Sequence, residues 1–149
     1  MSASKHFSLS FYYKNTKNRI ITPVDLFSIP YNSSLHCTID ALWDTGASMS
    51  AITPEIRDKL KASPVDRKEI AGVHSTEFVD IVFITVALPN NVIKKNIRAA
   101  VCSIPSDIGM ILGMDIISLG DFALSNSNNE TLFSFSFPPF PEKIDFSKR

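Results

Sequence analysis

A chain of 149 residues, 44% hydrophobic and 20% charged, has the make-up of one globular domain and not of a disordered segment. Fifteen Lys and Arg balance fifteen Asp and Glu, so no net field draws the chain to nucleic acid or to anionic lipid. No apolar stretch reaches membrane-spanning length and "MSASKHFSLSFYYKNTKNR" has no signal-peptide core, so the expected setting is cytoplasmic with no membrane partner.

Strand signals dominate from the start. "FSLSFYY" and "RIITPVDLFSI" flank the turn-former "KNTKN" and predict an N-terminal hairpin. "LHCTIDALW" puts Leu35, Cys37, Ile39, Ala41 and Trp43 on one parity, the period-two pattern of a half-buried strand. His36, Thr38 and Asp40 take the other face, which Asp44 continues. Thr53-Pro54-Glu55 reads as a helix start, with a capping hydroxyl, Pro at the first helical position and an acid in the first turn. The short helix "PEIRDKLKA" is expected to end at Pro64. "KEIAGVHSTEFVDIVFITVAL" then reads as strand, tip at Gly72, and longer strand. "PNN" turns the chain into a further strand, "VIKKNIRAAVCSI". "DIGMILGMDIISLGDF" holds an apolar run, a glycine, a short helix and a second glycine; "FALSNSNNETLFSFSF" has the alternation of a hairpin. The expectation is a mainly β domain with one or two short helices, built as a small barrel or two packed sheets. Its parts are an N-terminal strand or hairpin extension (residues 1–19), the domain proper (20–137) and a loose proline-rich tail (138–149).

Chemistry concentrates at "LWDTGAS", where an apolar strand delivers the carboxylate of Asp44 and is followed by Thr45, Gly46 and Ala47. A carboxylate carried into apolar surroundings shifts its pKa or finds a partner. Asp-Thr-Gly alone also fits a simple turn. Its context is more specific: a second apolar-Gly element, Ile111-Leu112-Gly113, stands late in the chain with a short helix behind it. Other chemistries find little support. Cys37 and Cys102 lack CxxC spacing and read as reduced thiols. His6, His36 and His74 stand too far apart for a metal-ligand set, and none is placed to activate Ser50 or Thr53, which read as parts of the helix start.

In "LWDTGAS" and "ILGMDIISLG" the sequence resembles the retropepsins, the single-domain aspartic proteases of retroviral type with cellular and bacterial relatives. The resemblance spans residues 20–137 and implies a single-domain acid-protease barrel that functions as a homodimer on a polypeptide substrate, with no cofactor or metal. Each chain would give one Asp44 to a shared dyad. Thr45 would cross the dimer axis to bond the opposite loop, and Gly46 would allow close backbone approach. Ala47 and Ser48 would line the cleft, Leu42 and Ile111 would wall apolar subsites, and Gly113 would pack under the loop. Gly72, Val73 and His74 would form the tip of a flap, "AGVHST", closing over an extended peptide.

Many viral members carry an acid where Ser48 stands and an arginine where Met114 stands. Both are absent here together, so the chain looks more like the cellular or bacterial type, with Asp115 expected to cap the short helix. The flap has one glycine where viral flaps have several. That keeps a second reading open: a catalytically silent, retropepsin-like peptide-binding or dimerisation module. An unrelated β-barrel ligand binder with a chance Asp-Thr-Gly is the third.

Overall fold

The computed structural model describes residues 5–71, 74–105 and 107–148. Among them, ten strands and two α-helices follow in order: β1 Phe7–Tyr13, β2 Ile20–Phe27, β3 His36–Trp43, β4 Ala51–Ile52, α1 Pro54–Leu60, β5 Asp66–Ala71, β6 Thr76–Ala87, β7 Ile93–Val101, β8 Met110–Leu112, α2 Met114–Ile117, β9 Asp121–Ser125 and β10 Thr131–Phe137. The mainly β class read from the sequence is the one that forms. None of the described helices is long and apolar enough to cross a membrane.

Alternating burial builds the barrel. On β3, Cys37, Ala41 and Trp43 are buried while His36, Thr38 and Asp40 face out. On β2, Ile20, Thr22, Val24 and Leu26 point inward against them in antiparallel register, from Ile20 opposite Trp43 to Phe27 opposite His36. From β3 the order runs β8, β4, β7, β6, and β6 returns to β2 through residues 85–87 and 25–27, closing a six-stranded ring. Closure pairs each of those strands on both sides over at least part of its length. Two neighbours in the ring are parallel, β3 with β8 and β4 with β7. Beyond the ring, β5 and the first half of β6 continue as a hairpin, Asp66 opposite Ile81 to Ala71 opposite Thr76.

The expected β1–β2 hairpin across "KNTKN" does not form. Instead β1 pairs with β10, and β10 with β9, in a separate three-stranded antiparallel sheet. Strand β2 is paired by β3 along its whole length and by β6 over Asp25–Phe27. Meanwhile β1 and β10 match apolar side chains, Leu9 opposite Phe135 and Phe11 opposite Phe133. Their inner face packs onto the barrel in one core with Trp43, Met110, Leu112 and Ile116.

Helix α1 starts as read: Thr53 Oγ1 accepts from the Ile56 N–H (3.3 Å), and Pro54 takes the first turn. It stops earlier than Pro64. Lys61 turns left-handed (φ 49°) and its N–H closes onto Arg57 and Asp58 carbonyls. Ile56 and Leu60 face inward, and the helix packs on β3, the strand that carries Asp44.

Candidate active site

Strand β3 ends in an aromatic clamp. Trp43 lies with its ring centroid 5.0 Å from those of Phe133 and Phe135 and 6.1 Å from Phe122. Its Nε1–H donates to the buried Thr22 hydroxyl at 2.9 Å. A residue fixed in this way sets the direction in which the chain leaves the strand.

The next residue is Asp44, half-buried at the barrel mouth. Its N–H donates to Leu112 O (2.9 Å), extending the β3–β8 ladder by one rung. Its Oδ1 accepts from the Gly46 N–H (2.8 Å), a side-chain turn spanning residues 44–46. An added Cβ on Gly46 would sit 3.1 Å from that same oxygen. Ala47 N–H returns to Asp44 O (3.2 Å), and Ala47 O accepts from Met114 N–H (2.7 Å). Thr45, Gly46 and Ser48 are exposed and Ala47 is half-buried.

The late apolar-Gly segment lies directly beneath this loop. A Cβ on Gly113 would fall 2.8 Å from Ala47 O and 2.8 Å from the Met49 carbonyl carbon, closer than real side chains approach backbone. Glycine is the residue that permits this contact.

Asp115 serves the start of α2 as expected, its Oδ1 accepting from the Ile116 N–H (3.0 Å), but from inside the first turn and not from the cap position. The cap position is Gly113, without a side-chain bond, and Asp115 reaches across to Ser50. Its Oδ1 accepts from Ser50 Oγ–H (2.7 Å) and its Oδ2 from Ser50 N–H (3.0 Å), while the fully buried Ser50 hydroxyl accepts from Gly113 N–H (3.1 Å). Ser50 is therefore the clasp between loop and helix, not part of the α1 start. These partners lie 65 and 63 residues apart, which is why no local pattern announced them.

Leu42 and Ile111 are direct cross-strand partners on β3 and β8, both half-buried. Ile111 joins a second apolar cluster that the sequence reading did not assemble: Met49, Ala51, Ile70, Val79, Ile81, Ala100, Cys102 and Ile104. Its Ile70 and Val79 come from the β5–β6 hairpin, so the hairpin's inner side rests on the wall beside residues 44–49. Burial in this wall pushes the Cys102 thiol above its ordinary range. The period-two pattern of β6 was the available signal for Val79 and Ile81. Leu42 instead faces a pocket of about 350 Å³ shared with Asp44, Thr45, Asn18, Arg19, Phe122 and Leu124. His74 is exposed at the hairpin tip; Gly72 and Val73 lie outside the described residues.

The fold has counterparts among solved structures. A retropepsin-like aspartic protease from Rickettsia conorii is 18% identical, with a TM-score of 0.53 over 91% of this chain and 98% of that one. EIAV protease complexed with the inhibitor HBY-793 is 26% identical, TM-score 0.49, over 69% and 91%. Simian foamy virus (mac) protease is 16% identical, TM-score 0.43, over 65% and 92%. No protein-family model matches the chain, and no curated protein matches it by sequence. The chain has the retropepsin-like fold, established by its likeness to the Rickettsia structure.

Proposed function

We propose that the chain is one half of an aspartic endopeptidase, completed when a second copy brings its own Asp44 to a shared site. The observation that carries this reading is how tightly residues 44–50 are held while Asp44 stays half-open and Thr45 exposed. Leu112, Gly113, Met114 and Asp115 together fix the loop backbone.

Two carboxylates about 3 Å apart share one proton, because both cannot ionise at that distance. The dyad titrates as a unit. Its ionised member takes a proton from a water held between the two. Its protonated member donates to the scissile carbonyl, and the tetrahedral intermediate collapses as the amide nitrogen is protonated. Neither a covalent enzyme intermediate nor a metal ion is needed. In this reading Thr45 bonds across the axis, and Gly46, Ala47 and Ser48 run beside the peptide backbone. Leu42 and Ile111 meet its apolar side chains, and residues 72–74 cover it. The apolar cluster around Ile111 supports an extended, largely apolar substrate segment.

Incubation with a peptide library at mildly acidic pH tests this directly. Cleavage that vanishes in Asp44→Asn and is blocked by a statine inhibitor of the pepstatin kind is the expected result. Wild type and Asp44→Asn equally inert from about pH 3 to 8, with both still binding peptide, would instead leave a silent binding module.

A further inference from the structure

A pocket away from the loop of residues 44–50 combines apolar walls with an unpaired charge. It lies at the opposite end of β3 from Asp44, beside Phe27, the partner of His36 at the start of that strand. Its volume is about 400 Å³, within the range of small-molecule sites. Parity puts it on the outside of the barrel: Phe27 follows the fully buried Leu26, and Thr85 stands between the fully buried Ile84 and Val86.

Two departures from regular strand pairing open it. Strand β2 follows β6 only as far as Phe27 and then leaves it. The Ser28 N–H closes the next loop onto Leu35 O (3.1 Å), and the Ser28 hydroxyl donates to Pro30 O (3.0 Å). On the other side, β7 carries one residue more than β6. Ile84 is opposite Ile97 and Val86 opposite Lys94, and Asn96 takes a left-handed conformation (φ 57°). A bulge of this kind turns side chains out of strict alternation. Lys95 and Asn96, neighbours that a regular strand would send to opposite faces, both line the pocket and are both exposed.

The walls are apolar and partly aromatic. Phe27 and Tyr31 lie with ring centroids 5.8 Å apart, tilted by 44°, beside Ile29 and Ile93. Tyr31 is 71% and Ile93 58% exposed, apolar surface that the chain leaves uncovered. The charge comes from Lys95. The other two cations of β7 are engaged, Lys94 over the Phe137 ring (4.0 Å) and Arg98 with Asp66 (2.7 Å). Lys95 meets no carboxylate among the described residues. Asp25, two residues before Phe27 on the same face of β2, accepts the Thr38 hydroxyl and lines a separate hollow.

We propose that this pocket binds a small aromatic carboxylate, its ring against Phe27, Tyr31 and Ile93 and its carboxylate on the Lys95 ammonium. The body is aromatic because a third ring adds edge or offset contacts to an existing pair. The head is anionic because the described lining holds one cation and no acid. The site needs neither a second copy nor cleavage, so it stands apart from the function proposed above.

Titration of the isotope-labelled full chain with hydrocinnamate, followed by amide chemical shifts, is the test. Saturable shifts among residues 27–31, 85 and 93–96 are expected, with a dissociation constant of about 1 mM or tighter. Lys95→Gln should weaken binding about fivefold, and Lys95→Arg should keep most of it. Lys94→Gln, which alters the neighbouring cation, should leave it unchanged. The neutral hydrocinnamamide should bind the wild type as weakly as the acid binds Lys95→Gln. Each variant's own amide spectrum reports whether its fold is kept. The inference is overturned by the absence of saturable shifts up to about 10 mM, or by shifts confined to residues 42–48. Acid and amide binding alike, or equal weakening in Lys94→Gln and Lys95→Gln, overturns it as well.

Discussion

The loop of residues 44–50 and the β5–β6 hairpin face the same apolar wall, yet they are held by different forces. The loop is tied by short hydrogen bonds to distant backbone and to a buried hydroxyl, most of them shielded from water. The hairpin is tied on its outer side by ion pairs open to solvent: Asp80 to Arg67 and Arg57, and Asp66 to Arg98. Buried bonds are costly to leave unmade, whereas exposed pairs contribute little and fade with salt. On its outer side the hairpin is therefore the less firmly held of the two. In the function proposed above, that division would suit a held carboxylate and a peptide that must enter and leave.

The comparison breaks most severely at Gly113. A methyl there meets the Ala47 carbonyl oxygen and the Met49 backbone at 2.8 Å, with no flexible side chain to yield. Gly113→Ala is expected to destabilise the fold by about 3 kcal/mol in urea unfolding. Cleavage, where present, should fall with it because the loop itself is displaced. Next comes the clasp. Asp115→Ala removes the acceptor of two Ser50 bonds and leaves a buried hydroxyl short of a partner, at a cost of about 2 kcal/mol. Asp115→Asn keeps one carbonyl oxygen and should recover part of that loss; equal losses in the two variants would argue against the clasp.

Much of this architecture was legible because it is local. The parity of "LHCTIDALW", the Thr53-Pro54 cap and the alternation in the last hairpin each depend on neighbours within a few residues. The Asp-Thr-Gly and Ile-Leu-Gly segments were visible too, and their apposition at the barrel mouth follows from the parallel pairing of β3 with β8. What stayed hidden depends on long-range choice. Nothing near β1 says that β2 is already paired with β3 and β6, so the nearer strand looked like the natural partner. Asp115 looked like a cap because Asp at the start of a helix usually is one. It does accept the Ile116 N–H, but its more distant partner, Ser50, could be known only once Gly113 had brought Ser50 within reach. The apolar wall shared by Met49, Ile70, Val79 and Cys102 likewise gathers four separate segments.

The hairpin side should respond weakly to the same treatment. Asp80 is one-third exposed and spans 3.5 Å to Arg67 and 4.0 Å to Arg57, so Asp80→Asn is expected to cost about 0.5 kcal/mol or less at moderate salt. A loss as large as that of the Asp115 variants would erase the distinction between the two regions. Amide exchange sharpens it further: hairpin amides should exchange sooner than those of Asp44, Ala47 and Met114.

The smallest expected effect is at Asp66. The Arg98 side chain, 2.7 Å away, and the Arg67 N–H at 2.8 Å hold its carboxyl below the usual carboxylate range. A group whose folded value is depressed stabilises the fold above its unfolded value, and loses that contribution as the pH falls through the folded one. The window is thus acidic, below the ordinary aspartate range, and the carboxylate is open to water. Arg98→Gln should let Asp66 titrate closer to an ordinary aspartate in a side-chain NMR titration, with no measurable change in unfolding at neutral pH. If that replacement lowered global stability at neutral pH as Asp115→Ala does, β5 would be anchored as firmly as the loop, and the contrast between the two regions would fall.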